Sequence, residues 1–149
     1  MKDRASLLID IIYKNPGLHF CEMIRVSGMK NGVLTHYLNK LESTGIINIQ
    51  REKKKTRFFS PKISNYEVKI IKFLRKETSR KIILSLLDGG MEFSKITNKV
   101  SKSAPTISQN LSELIKNNLI IVKLESSQKK YFIKNNSLLK KIIKKYQFD

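Results

Sequence analysis

The chain has 149 residues, room for one ordinary domain or two small ones, and 40% of them are hydrophobic, which supplies a core and argues against wholesale disorder. Its 30 Lys+Arg against 12 Asp+Glu leave a net charge of +18, an imbalance that repels itself in a compact state and calls for a polyanionic partner. One cysteine, Cys21, excludes an internal disulfide and a multi-cysteine zinc site, and no apolar run approaches the ~20 residues of a membrane span.

An amphipathic helix is predicted from about Asp3 to Lys14, with Leu7, Leu8, Ile11 and Ile12 on one side and Asn15-Pro16-Gly17 as its stop. Asp10 interrupts its apolar stretch, so it does not read as a signal peptide. A short helix follows over about Phe20 to Val26, ending near Gly28. A third runs from about Asn31 to Ser43, with Leu34, Leu38 and Leu41 as one buried stripe and Gly45 placed for a left-handed end. Two strands, Ile46 to Arg51 and Thr56 to Ser60, flank a charged turn. A helix over Asn65 to Lys76 trails them.

The order then recurs. Thr78 or Ser79 is expected to cap a helix to Leu87, ended by Asp88-Gly89-Gly90. A short helix covers about Phe93 to Val100. Ser103 caps a third helix with Pro105 in its first turn and Ile107, Leu111 and Leu114 buried; Asn118 takes the place of Gly45. Strands Ile120 to Leu124 and Lys130 to Lys134 follow, then a helix over Leu138 to Tyr146. A shift of 73 residues superimposes the two halves without a gap: Gly17 meets Gly90, Phe20 meets Phe93, Leu38 meets Leu111, and Phe58-Phe59 meets Tyr131-Phe132. The matches fall on core positions, which reads as one supersecondary unit used twice.

The fold class expected is therefore mainly α with small β-hairpin wings (α+β): two tandem winged helix-turn-helix units, each with a trailing helix. The segments are 1–64, a linker helix 65–77, 78–136 and a C-terminal helix 137–149. In this plan the third helix enters a major groove and the hairpin reaches the neighbouring backbone or minor groove, so the third helix must be small and polar on its outer face. Lys30, Asn31, Thr35, His36 and Asn39 supply that face in the first unit; Ser103, Thr106, Ser108, Gln109 and Ser112 supply it in the second. The first wing carries Arg51, Lys53, Lys54, Lys55 and Arg57 against Glu52 alone, a density of charge suited to phosphates. The second wing, with Lys129 and Lys130, is weaker. An AT-rich genome also enriches Lys and Ile, but it does not thin Asp and Glu to this degree.

Leu18-His19-Phe20 followed by Val26-Ser27-Gly28-Met29-Lys30-Asn31-Gly32-Val33-Leu34-Thr35-His36-Tyr37-Leu38-Asn39-Lys40-Leu41-Glu42 resembles archaeal winged helix-turn-helix regulators related to the MarR and ArsR groups. Ser103-Ala104-Pro105-Thr106-Ile107-Ser108-Gln109-Asn110-Leu111 is similar to the third-helix segment of the same superfamily. The resemblance implies DNA binding and transcriptional control. It departs in two respects: one cysteine does not make a metal-sensing site, and Lys102 stands where the first unit has Met29.

No cofactor is expected. No P-loop or dinucleotide fingerprint occurs, and the acidic residues are too scattered for a hydrolase, so the chain reads as a non-enzyme. The expected function is sequence-specific binding of double-stranded DNA by a cytoplasmic, nucleoid-associated transcriptional regulator. It acts as a pseudo-dimer within one chain or as a homodimer through the Leu138, Ile142 and Tyr146 face. Two alternatives use the same elements: a protein-interaction scaffold in a transcription or assembly complex, whose binding would not fall steeply with salt, and a non-specific chromatin or RNA-binding protein, which would not discriminate among sequences.

Overall fold

A computed structural model describes residues 3–148. They form a mixed α+β structure of eight helices and small antiparallel sheets, divided into two compact units that meet between Val68 and Lys69.

In the first unit, α1 (Arg4–Lys14) starts where Asp3 accepts a hydrogen bond from the Ser6 N–H at 2.8 Å. It stops at Asn15, whose side-chain amide donates to the Ile11 carbonyl at 3.1 Å. α2 (Phe20–Ser27) ends on Gly28 at φ 70°, a conformation that a residue with a Cβ adopts reluctantly. α3 (Asn31–Ser43) presents Leu34, Leu38 and Leu41 inward. Strands β1 (Asn48–Arg51) and β2 (Thr56–Phe59) pair antiparallel, Asn48 opposite Phe59 and Arg51 opposite Thr56. One core holds Leu8, Ile12, Met23, Leu34, Leu38, Leu41, Ile47 and Phe58, each such burial contributing about 1.5–3 kcal/mol. The hairpin is tied to the turn after α1: the Gly17 N–H donates to the Phe58 carbonyl at 2.9 Å, and the Phe58 N–H to the Leu18 carbonyl at 3.2 Å.

Helix α4 (Asn65–Leu74) lies in the segment expected as a linker and crosses the division between the units. α5 (Glu77–Leu86) begins earlier than the capping pattern predicts. Its cap position is Lys76, without a side-chain cap bond, so Thr78 and Ser79 lie inside the first turn. Ser79 is buried and its hydroxyl donates to Asn110 Oδ1 at 3.1 Å, so its oxygen serves tertiary packing in place of the helix end. Strand β3 (Met91–Glu92) was not legible from the pattern; two residues carry no periodicity. α6 (Phe93–Val100) and α7 (Ala104–Lys116) follow, then β4 (Ile120–Glu125) and β5 (Gln128–Ile133) in a sheet of order β3-β5-β4. Shifted by 73 residues, the bounds of α2 and α3 coincide with those of α6 and α7. Gly28 falls on Ser101 at φ 60°, and Gly45 at φ 76° falls on Asn118 at φ 64°.

The last helix, α8 (Asn136–Tyr146), buries Leu139, Ile142 and Ile143. Asn136 donates to the Leu87 carbonyl at 2.9 Å, and the Arg75 guanidinium lies 4.5 Å over the Phe148 ring. Of the three residues of the expected dimer face, Ile142 is only 3% exposed within its own chain, because α8 folds its apolar stripe inward, while Leu138 and Tyr146 are half-buried at its margins.

Gly90, read from sequence as part of a helix stop, has a second role. A Cβ there would overlap the Phe132 ring. Gly90→Ala is expected to destabilise the second unit by about 1–3 kcal/mol through overpacking. Urea unfolding checks it: Phe132→Leu in the same chain should recover part of the loss, and two fully additive losses would contradict the overlap.

Candidate nucleic-acid interface

On α3, Asn31, Thr35, His36 and Asn39 are exposed, as is Lys30 at its cap position. Thr35 Oγ1 donates to Asn31 Oδ1 at 3.4 Å, and His36 sits edge-on to Tyr37 with ring centres 5.3 Å apart. Between this face and the hairpin runs a groove of about 150 Å³, walled by Thr35 and Asn39 on one side and Ile49, Arg51 and Thr56 on the other.

The five wing cations of the first unit separate into three kinds. Lys53, Lys54 and Lys55 are exposed at the turn. Arg51 reaches back to α3 and grips Glu42 with both nitrogens, Nη1 to Oε2 at 2.7 Å and Nη2 to Oε1 at 2.8 Å. That fork holds the Glu42 carboxyl below its ordinary pKa and raises that of Arg51. It also neutralises the Arg51 charge locally and pins the hairpin to the third helix. The sequence spacing does not reveal the pair, since the partners lie on different elements.

Arg57 corrects the expectation outright. It is 1% exposed, and Nη1 donates to the Gly17 carbonyl at 2.7 Å beneath the turn after α1. Burial lowers its pKa, opposed by Glu52 and Glu22. On a strand of alternating faces, Thr56 and Phe58 share one side and Arg57 turns to the other, where the α1–α2 turn covers it. Arg57 is a structural cation, unavailable to a phosphate.

His19 is a second residue whose role the pattern missed. Its Nδ1 accepts from the Glu22 N–H at 3.4 Å while Glu22 Oε1 accepts from the His19 N–H at 3.1 Å, a reciprocal cap on α2. The spacing His19-x-x-Glu22 carries the signal, with histidine in a place Ser or Thr usually fills. Partial burial is the main cause of a His19 pKa below the ordinary value; Lys55, Arg57 and Arg25 add to it and Glu22 opposes it. The folded state thus binds this proton less readily than the unfolded chain. The stability is complete above the unfolded pKa of about 6.5 and is lost as pH falls through the lower folded value. Replacing His19 by Asn, which caps without titrating, should leave a chain that loses less stability than the parent between pH 7.5 and 5.5; identical losses in urea unfolding would contradict this role.

In the second unit, Ser108, Gln109 and Ser112 are exposed on α7. Ser103 and Thr106 are committed to the helix start: Ser103 Oγ accepts from the Thr106 N–H at 3.4 Å and lies 2.8 Å from Thr106 Oγ1. Thr106 is half-buried, so the freely exposed polar face narrows to Ser108, Gln109 and Ser112. On the wing, Lys129 is exposed, and Lys130 approaches Glu125 at 3.4 Å. Cys21 is exposed and unbonded. Among the described residues no cluster of His, Cys, Asp and Glu could hold a metal, and no helix is long and apolar enough to cross a membrane.

Helices α5, α6 and α7 and the start of β4 lie within one matched segment. Residues 76–122 match the family of bacterial regulatory proteins called arsR. Over 140 residues the chain is 24% identical to an uncharacterized HTH-type transcriptional regulator of Methanocaldococcus jannaschii, a match that covers 94% of this chain and 35% of that protein. The chain thus spans about a third of the curated relative's length. In fold it is similar to HlyU from Vibrio cholerae, with a TM-score of 0.50 at 20% identity, covering 58% of this chain and 98% of that one.

Proposed function

We propose that this chain binds double-stranded DNA sequence-specifically and controls transcription, using two tandem winged helix-turn-helix units, and that it is not a catalyst. The observation that carries the reading is the coincidence of the arsR match with α5, α6 and α7, the last of which turns Ser108, Gln109 and Ser112 outward. Gln109 can pair bidentately with adenine, and the serines can serve bases or phosphates. In the first unit, Asn31, Thr35 and Asn39 offer the same chemistry beside the Arg51–Glu42 clip, which joins the third helix to the wing. Lys53, Lys54 and Lys55 supply the sequence-independent attraction. The net charge of +18 supports a polyanionic partner over a neutral protein surface. Its place of action is then wherever the genome is, in the cytoplasm of a prokaryotic cell.

Fluorescence anisotropy with labelled duplex DNA over a series of salt concentrations tests the reading. The expected result is a logarithmic affinity that falls linearly with the logarithm of salt, with a slope of about −0.9 per neutralised phosphate. Affinity independent of salt, or preference for single-stranded RNA, would count against it.

A further inference from the structure

Shifted by 73 residues, Arg51 of the first hairpin falls on Leu124 of the second, and its partner Glu42 falls on Ile115. The charged clip of the first unit thus has two apolar residues at the matching positions. Leu124 is nonetheless 74% exposed, the most exposed of the large hydrophobic residues described, and Val122, two residues inboard, is 40% exposed. The register puts Ile120 opposite Ile133, Val122 opposite Tyr131 and Leu124 opposite Lys129, so these side chains share one face of the ribbon. The face runs from the buried Ile120 to Leu124 beside the turn. Ser126 and Ser127 close that turn at φ 52° and 68°, the pair of left-handed residues that suits a tight, twisted two-residue hairpin. On the other face Lys123 and Lys130 stand opposite each other.

An exposed leucine near the tip of a narrow ribbon, with lysines on either side of it in the ladder, does not match phosphate chemistry alone. It matches a minor groove, where sugar and base-step surfaces are apolar and phosphates line both rims. Apolar side chains in that position enter between base steps and kink the duplex. We propose that Leu124 is such a wedge, with Lys123 and Lys129 engaging the flanking phosphates. The inference rests on the DNA-binding reading and extends it: the second wing selects for deformability, favouring the easily unstacked pyrimidine–purine steps, while the first supplies charge.

The test uses the full chain and an end-labelled duplex of about 30 base pairs with a central TA step, whose adenine is replaced by 2-aminopurine. Energy transfer between the ends reports bending, and 2-aminopurine fluorescence reports unstacking. The parent should bend the duplex by roughly 20–90° and raise the fluorescence at that step. Leu124→Ser should bind with an unchanged salt slope but leave the duplex straight and the step stacked, and Leu124→Phe should restore both signals. Because Leu124 is exposed, the Ser variant should unfold like the parent in urea. A straight duplex in the parent complex, or equal bending by Leu124→Ser, overturns the wedge while DNA binding stands. Failure of the parent to bind any duplex overturns the DNA-binding reading itself, and the wedge with it.

Discussion

Replacing Lys53, Lys54 and Lys55 together by Ala is expected to weaken binding to every duplex alike, by about 10–100-fold near physiological salt, and to flatten the salt slope by up to about 0.9 for each phosphate that is no longer neutralised. The three side chains are exposed at the turn of the first hairpin. Removing them takes away counterion release and leaves base recognition alone, so discrimination between sequences should persist while overall affinity falls. The core beneath the turn does not include them, so the urea midpoint should stay within the range of ordinary surface substitutions, about 0.5 kcal/mol either way. Anisotropy titrations of parent and variant over a salt series measure both quantities. An unaltered slope would remove the first wing from the interface.

Arg57→Ala, two residues further along the same hairpin, should behave in the opposite way. Its side chain is among the largest fully buried in the chain and holds the Gly17 carbonyl at 2.7 Å. Truncation leaves a cavity and an unsatisfied carbonyl where the hairpin joins the turn after α1, a combined loss of roughly 2–5 kcal/mol. The first unit should unfold at markedly lower urea, and DNA affinity should fall only as far as that unit is unfolded. If Arg57→Ala kept the parent's stability and weakened binding uniformly, Arg57 would be a phosphate ligand after all.

The contrast between these neighbours marks the limit of reading a charge run from sequence. Five cations in seven positions look alike along the chain, yet strand alternation and tertiary cover divide them: three in solvent, Arg51 clipped to Glu42, and Arg57 buried. Helix positions were legible because their signals are local and repeated. The leucine stripe at Leu34, Leu38 and Leu41, the cap at Ser103 and the left-handed residues Gly45 and Asn118 all act within a few residues of where they sit. What escaped depends on distant partners. Ser79 reads as a cap until Asn110 draws its hydroxyl away. The α8 stripe reads as one open apolar face, but its own chain covers Ile142. Of the candidate site, the exposed third-helix residues were legible from the pattern, save the half-buried Thr106, whose N–H and hydroxyl are both engaged by the Ser103 cap. Leu124 was not, since an apolar residue in a predicted strand is ordinarily core.

Selection of bound fragments from random duplex DNA by the purified protein at near-physiological salt decides whether this chain reads DNA sequence. An enriched motif is expected, and its symmetry and half-site spacing report whether one chain or two does the reading. Retention of fragments without enrichment, or no retention at all, would rule out sequence-specific binding.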